Sequence, residues 1–213
     1  MYASLLDIHT HRLPARIGSA LVNSYPHSFH SSPGHCYSVG IHPWHLSEAT
    51  DDTWRLLEEA VRHPQVWAVG EAGLDRLAHT PLSCQLAAFK QQALLAETVG
   101  KPLIIHLVKA TAELLQLRRQ LRPAQPWIVH GFRGKPRQAQ QLLHHGFYLS
   151  FGEHFNAETL RTVPLDRLLL ETDESLLPIE RLYEQAARIR ATSTAELMEG
   201  VRSNIQCLFS PSR

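Results

Sequence analysis

The chain has 213 residues, 44% of them hydrophobic and 19% charged, enough to bury a full core, and it reads as one domain spanning residues 1–213. A formal net charge of +1 excludes the global electrostatic footprint of a nucleic-acid coat protein but leaves room for a local basic patch. Three dispersed cysteines, Cys36, Cys84 and Cys207, argue against a disulfide scaffold and for reduced thiols in a cytoplasmic protein; no signal peptide, membrane span or protein partner is expected.

In chain order, short apolar runs alternate with helical patterns. Leu5 and Leu6 open a strand in which Asp7, His9 and His11, two residues apart, share one face. Ala20–Asn23 reads as a second strand, followed by a loop rich in Pro, Ser and His, and Cys36–Val39 as a third, ending in GIHPWH. Asp51 and Asp52 are expected to cap a helix that runs through Arg62, with Pro64 marking its end. Val66–Val69 is the fourth apolar run and leads into GEAGLD at residues 70–75.

The clearest helix spans Pro81–Val99, with Thr80 as the expected N-cap and Gly100 and Pro102 as its stop. Leu103–Ile105 forms a strand ending at His106. A helix carrying Leu114, Leu117 and Leu121 follows, with Arg118, Arg119 and Arg122 in its last turn, away from any strand-end site. Trp127–Val129 ends at His130, Pro136–His145 is helical, and Phe147–Phe151 is a seventh strand. Arg167–Leu170 is the eighth run and ends in ETD; beyond it come helices over about Ile179–Arg190 and one opened by Ser193 and Glu196 as a capping box.

Eight short apolar runs alternating with helices describe a parallel sheet covered by helices and closed into an α/β TIM (β/α)8 barrel. The first two connections are too short for full helices, so the barrel is expected to be distorted on that side. His9, His11, His42, Glu71, His106, His130 and Asp173 then fall at strand ends, which such a barrel brings to one rim. One of them alone would read as an ordinary satisfied histidine or rim residue. Together they read as a metal site. Four imidazoles with two carboxylates suit two divalent ions sharing Glu71, about 3.5 to 4 Å apart, the spacing that stabilises both attacking and leaving oxygens of a phosphoester. Asp7 reads either as a supporting residue that accepts a hydrogen bond from a ligand imidazole or as a buried acid tied to backbone amides.

DIHTH at 7–11, GIHP at 40–43, GEAGLD at 70–75, PLIIH at 102–106, VHGFRG at 129–134, GFYLSFG at 146–152 and LLLETD at 168–173 together resemble the TatD-type metal-dependent hydrolases, many of which are nucleases. The resemblance implies an amidohydrolase-like barrel in which His9, His11, Glu71, His106, His130 and Asp173 bind one or two divalent ions (Mg²⁺, Mn²⁺ or Zn²⁺). It also implies that Asp173 orients or deprotonates the attacking water and that His42 lies close to the substrate. The chain departs from the family pattern at Val108, where an Arg is usual, at Arg76, where a Tyr is usual, at Trp44, which replaces the second His of GxHPH, and at Ser175, which replaces a Pro. The region between the first and third strands is also short.

Arg133, Lys135 and Arg137 follow the sixth strand, where they either hold an anionic backbone or form a solvated helix start. Trp44 and Phe132 either stack on a base or cover the barrel mouth. The leading expectation is a metal-dependent phosphodiesterase acting on DNA or RNA ends, with Glu71 and Asp173 catalytic and His42, Trp44 and Arg133 contacting the substrate. The alternatives are a hydrolase of small amides or esters on the same scaffold and a non-catalytic, metal-stabilised partner-binding protein.

Overall fold

The structure, a computed structural model, describes residues 5–209. Among the described residues, eight strands form one sheet in sequence order: β1 (Asp7–Thr10), β2 (Ala20–Ser24), β3 (Cys36–Val39), β4 (Val66–Asp75), β5 (Leu103–Val108), β6 (Trp127–Val129), β7 (Tyr148–Phe151) and β8 (Leu168–Leu170). Every adjacent pair is parallel. Seven helices cover the sheet: α1 (Asp51–Ala60), α2 (Leu82–Val99), α3 (Thr111–Leu121), α4 (Pro136–His144), α5 (Ala157–Thr162), α6 (Ile179–Arg190) and α7 (Thr194–Phe209). The β1–β2 connection has no helix and the β2–β3 connection only a three-residue 3₁₀ turn at Pro26–Ser28, so the barrel wall is bare of α-helix there.

Closure between β8 and β1 rests on a single bridge from Thr10 to Asp173. The Asp173 amide donates to the His9 carbonyl at 2.9 Å and the His11 amide to the Asp173 carbonyl at 3.1 Å. Asp173 takes a left-handed backbone conformation (φ 55°), which Asp tolerates better than most residues. One residue therefore seals the barrel with its backbone and turns its side chain to the rim.

Several local expectations are corrected. Thr50, not Asp51 or Asp52, caps α1: its hydroxyl accepts from the Thr53 amide while Thr53 Oγ1 accepts from the Thr50 amide, and the two aspartates lie in the first turn. Pro81 occupies the N-cap position of α2 in place of Thr80. The short α5, capped by Asn156 accepting from the Thr159 amide at 3.0 Å, has too few apolar positions to show a helical period. The α7 capping box forms between Ser193 and Glu196. Arg118 lies over Trp127 and Phe147, at the starts of β6 and β7 and away from the rim.

The apolar run that opens β4 ends at Val69, but the strand continues through GEAGLD to Asp75, pairing Ala72 with Ile105 and Asp75 with Val108. Glycine permits this. A Cβ on Gly73 would lie 2.0 Å from the His106 carbonyl oxygen, so only a residue without a side chain lets β5 approach closely enough to set His106 beside Glu71. Gly73→Ala should therefore cost about 1–3 kcal/mol as an overpacked site, a fall in Tm of roughly 2–12 °C for a chain of this size. A thermal melt with an unchanged midpoint would show that the strands do not need this approach.

Candidate metal centre

Glu71, 6% exposed, sits at the centre of the rim. Its two oxygens face different partners. Oε1 is met by His130 Nε2 at 2.7 Å, His106 Nδ1 at 3.0 Å and His42 Nε2 at 3.2 Å. Oε2 is met by Asn23 Nδ2 at 3.3 Å and faces His9 Nε2 at 3.5 Å and His11 Nε2 at 3.6 Å. Asn23 also fixes the Glu71 backbone, its Oδ1 accepting from the Glu71 amide at 3.0 Å.

The His9 side is built differently from the rest. His9 is fully buried, and neither of its ring nitrogens has a hydrogen-bond partner among the described residues. Its Nε2 lies 3.5 Å from Glu71 Oε2 and 3.7 Å from Asp173 Oδ1, while His11 Nε2 lies 3.6 Å and 3.4 Å from the same two oxygens. Donors about 2.1 Å from a tetrahedral ion are separated by about 3.4 Å, so these distances suit four groups around one cation better than four groups bonded to each other. The orphaned imidazole and the donor chemistry fit a divalent metal. His42, Glu71 and His106 form a second group of closely spaced donor atoms, and His9, His130 and Asp173 a third.

The surrounding residues select ring orientations. Asp75 Oδ2 lies 3.1 Å from His106 Nε2, and Glu171 Oε1 lies 3.2 Å from His130 Nδ1 while also accepting from the Gly131 amide. These carboxylates fix the ring orientations, so that His106 turns Nδ1, and His130 turns Nε2, toward Glu71. In His42, Nδ1 accepts from the Trp44 amide at 3.1 Å. The proton of the neutral ring therefore sits on Nε2, and His42 faces Glu71 as a donor, not as a lone pair.

Asp7 accepts no bond from an imidazole ring. Its carboxylate takes the Thr172 amide at 3.0 Å, the Thr172 hydroxyl at 2.7 Å and the His9 amide at 3.3 Å, so it is the buried acid tied to backbone amides. Burial pushes its carboxyl up to about 7, against those hydrogen bonds. Burial also opposes charge on Glu71, but His130, His106 and His11 outweigh it and hold that carboxyl well below the usual range. His130 shows the converse: burial disfavours its proton, yet Glu71 and Glu171 hold it well above the usual imidazole range. Asp173 and Glu71 push His11 up to about 9, whereas burial pushes His42 down despite Glu71.

A cavity of about 730 Å³ opens above these groups. His11, His42, Glu71, His106, His130 and Asp173 line it together with Trp44, Lys109 and Arg133. Lys135 and Arg137 do not line it. Phe132 is 4% exposed and packed edge-on against Phe151, so it belongs to the wall and offers no free face. Arg76 is paired with Glu113.

Residues 27–210 match the family described as TatD related DNase. The chain belongs to that family. His9 and His11 precede the matched stretch, so their place beside Glu71 rests on the fold. The chain is 30% identical over 194 residues to the uncharacterized metal-dependent hydrolase YabD of Bacillus subtilis, covering 81% of this chain and 76% of the relative. It is 32% identical over 218 residues to the 3′-5′ ssDNA/RNA exonuclease TatD of Edwardsiella piscicida, covering 86% and 81%. The crystal structure of the TatD homologue YJJV from Escherichia coli K12 superposes with a TM-score of 0.84 at 21% identity, over 98% of this chain and 99% of that one, which shows the shared barrel. Family membership makes the chain a metal-dependent hydrolase. No helix among the described residues is long and apolar enough to cross a membrane.

Sequence reasoning missed three residues of this centre: Asn23, Asp75 and Glu171. Asp75 carried a signal, because its spacing of four from Glu71 places both on one face of β4. Glu171 lies within the quoted LLLETD, but nothing in the motif tells which of its two acids faces His130.

The raised value of His11 has a definite sign in metal-free protein. Its proton stabilises the fold fully below pH 6.5, the ordinary imidazole value, and that contribution is lost as the pH rises through about 9. In EDTA the Tm should fall across this window, and His11→Gln should flatten the fall. Saturating Mn²⁺ or Zn²⁺ should raise Tm most at the alkaline end, because ligand protons must leave before a cation binds. Melts across pH with and without metal measure all three.

Proposed function

We propose that this chain is a metal-dependent phosphodiesterase that removes nucleotides from single-stranded or frayed ends of DNA or RNA. The observation that carries the proposal is the convergence of His11, Glu71, His106, His130 and Asp173 on a cavity whose wall includes Lys109 and Arg133, with the buried His9 facing Glu71 and Asp173 behind them. Those six side chains would hold one or two divalent ions. Mg²⁺, Mn²⁺ and Zn²⁺ all suit the donor set. Bound there, such ions supply Lewis acidity to a phosphoryl oxygen and lower the pKa of water.

The protein groups divide the remaining work. Asp173, whose carboxyl is held below the usual range mainly by His11 against the effect of burial, is ionised at neutral pH and accepts the proton of the attacking water. His42 presents Nε2–H toward the same volume and donates to a phosphoryl or leaving oxygen. Lys109 and Arg133, which form no ion pair among the described residues, neutralise the backbone charge of the substrate. The relative from Edwardsiella piscicida, an exonuclease on single-stranded DNA and RNA, supports this choice of substrate. The unpaired cysteines, one buried and two exposed, support a cytoplasmic setting.

Purified protein with end-labelled single-stranded DNA or RNA and Mg²⁺ or Mn²⁺ should release mononucleotides. Asp173→Asn, which keeps the backbone bridge to Thr10, should lower kcat by roughly 10²- to 10⁴-fold, the usual worth of a positioned base. Absence of metal-dependent nucleotide release, or release unaffected by Asp173→Asn, would falsify the proposal.

A further inference from the structure

The family pattern has a second histidine where this chain has Trp44, and the structure gives the indole a specific fixation. Trp44 Nε1–H donates to Asp75 Oδ2 at 2.8 Å, the same oxygen that lies 3.1 Å from His106 Nε2. Asp75 is itself rigid. It is 2% exposed, its Oδ1 accepts from the Leu77 amide at 2.7 Å, and the buried Gln85 of α2 bonds both its backbone amide and its backbone carbonyl. The Trp44 main chain is held as well, through its amide to His42. Two imidazole rings stand nearly perpendicular to the indole, His42 at 5.1 Å and 87° and His106 at 6.1 Å and 71° between ring centroids and planes.

An indole anchored by its N–H and by two neighbouring rings has little rotamer freedom left to lose on binding, yet Trp44 remains 60% exposed at the cavity mouth. Its open surface lies one ring away from His106 and therefore beside the position of a reacting phosphate. Cations reach the same cavity from the loops after β5 and β6, as Lys109 and Arg133. A flat apolar surface and two cations within one cavity match a nucleotide, which carries one aromatic face and one anionic group.

We propose that Trp44 is a preset stacking platform for the nucleobase adjoining the cleaved phosphodiester, with Asp75 as the positioning residue that fixes the platform and the His106 ring together. This rests on the nuclease reading and narrows it. An unpaired terminal base has a free face and a backbone flexible enough to bring that face onto the indole, and because every base has a π-face the platform gives little preference for base identity.

The test compares two single-stranded oligonucleotides that differ only in whether the terminal nucleotide carries a base or is abasic. Wild-type protein should favour the base-bearing end in kcat/KM by roughly 5- to 150-fold, the range of base–aromatic stacking. Trp44→Ala should bring that ratio close to one, and Trp44→Phe, which restores a flat ring without the N–H, should keep a ratio above that of the alanine variant. Equal discrimination by wild type and Trp44→Ala overturns the platform even though cleavage itself persists. Should wild type cut neither oligonucleotide, the nuclease reading fails, and the platform is judged by binding alone. Saturable quenching of tryptophan fluorescence by dAMP but not by deoxyribose 5-phosphate, lost in Trp44→Phe, would then support it. Equal response to the two ligands would overturn it.

Discussion

The structure depends on one buried carboxylate. Glu71 has almost no contact with water, and an uncompensated charge at such a depth would cost several kcal/mol. Its compensation comes from five histidines on four different segments of chain, with three rings against one oxygen and two facing the other. Each of those rings needs its own orientation. Asp75, Glu171 and the Trp44 amide supply it for His106, His130 and His42, and the orphaned nitrogens of His9 leave one place for a cation to fill. The centre is thus a set of dependent hydrogen bonds around Glu71, in which His9 is the member that protein partners alone do not satisfy.

The barrel serves this arrangement by bringing the C-terminal ends of parallel strands together. Two features of the chain make the convergence tight. Gly73 lets β4 and β5 approach at His106, and the left-handed backbone of Asp173 bridges β8 to β1 at the residue whose side chain faces His9 and His11. The residue that bridges β8 to β1 is thus also the one whose carboxylate faces His9 and His11. The reduced connections around β2 leave the barrel wall bare of α-helix on that side, while Trp44 stands exposed beside the ends of β4 and β5.

The electrostatics follow from the same geometry. Burial alone would raise every carboxyl and lower every imidazole in the centre, as it does for Asp7 and His42. Glu71, Asp173, His11 and His130 go the other way because opposite charges face one another across a few ångströms. The site is held by its own protons, which a cation binding there would have to replace.

The positions of the strands were legible in the sequence because each opens as a short apolar run, and the spacing of two in DIHTH follows from strand geometry alone, whereas the run that opens β4 stops at Val69 and hid the continuation that puts Glu71 and Asp75 on one face. The candidate ligands were legible for the same reason: side chains at the ends of parallel strands converge in any closed barrel. Tertiary structure alone decided which of them touch and through which atom. Asp7 bonds Thr172 and a backbone amide where an imidazole was one of two readings, Phe132 is packed into the wall, and Trp44 is anchored to Asp75. These outcomes turn on side-chain rotamers and on hydrogen bonds between residues tens of positions apart, and no periodicity encodes either. Sequence pattern determines which face a residue occupies; the partner it finds there depends on how closely the strands approach and on which neighbours have already claimed the available donors and acceptors.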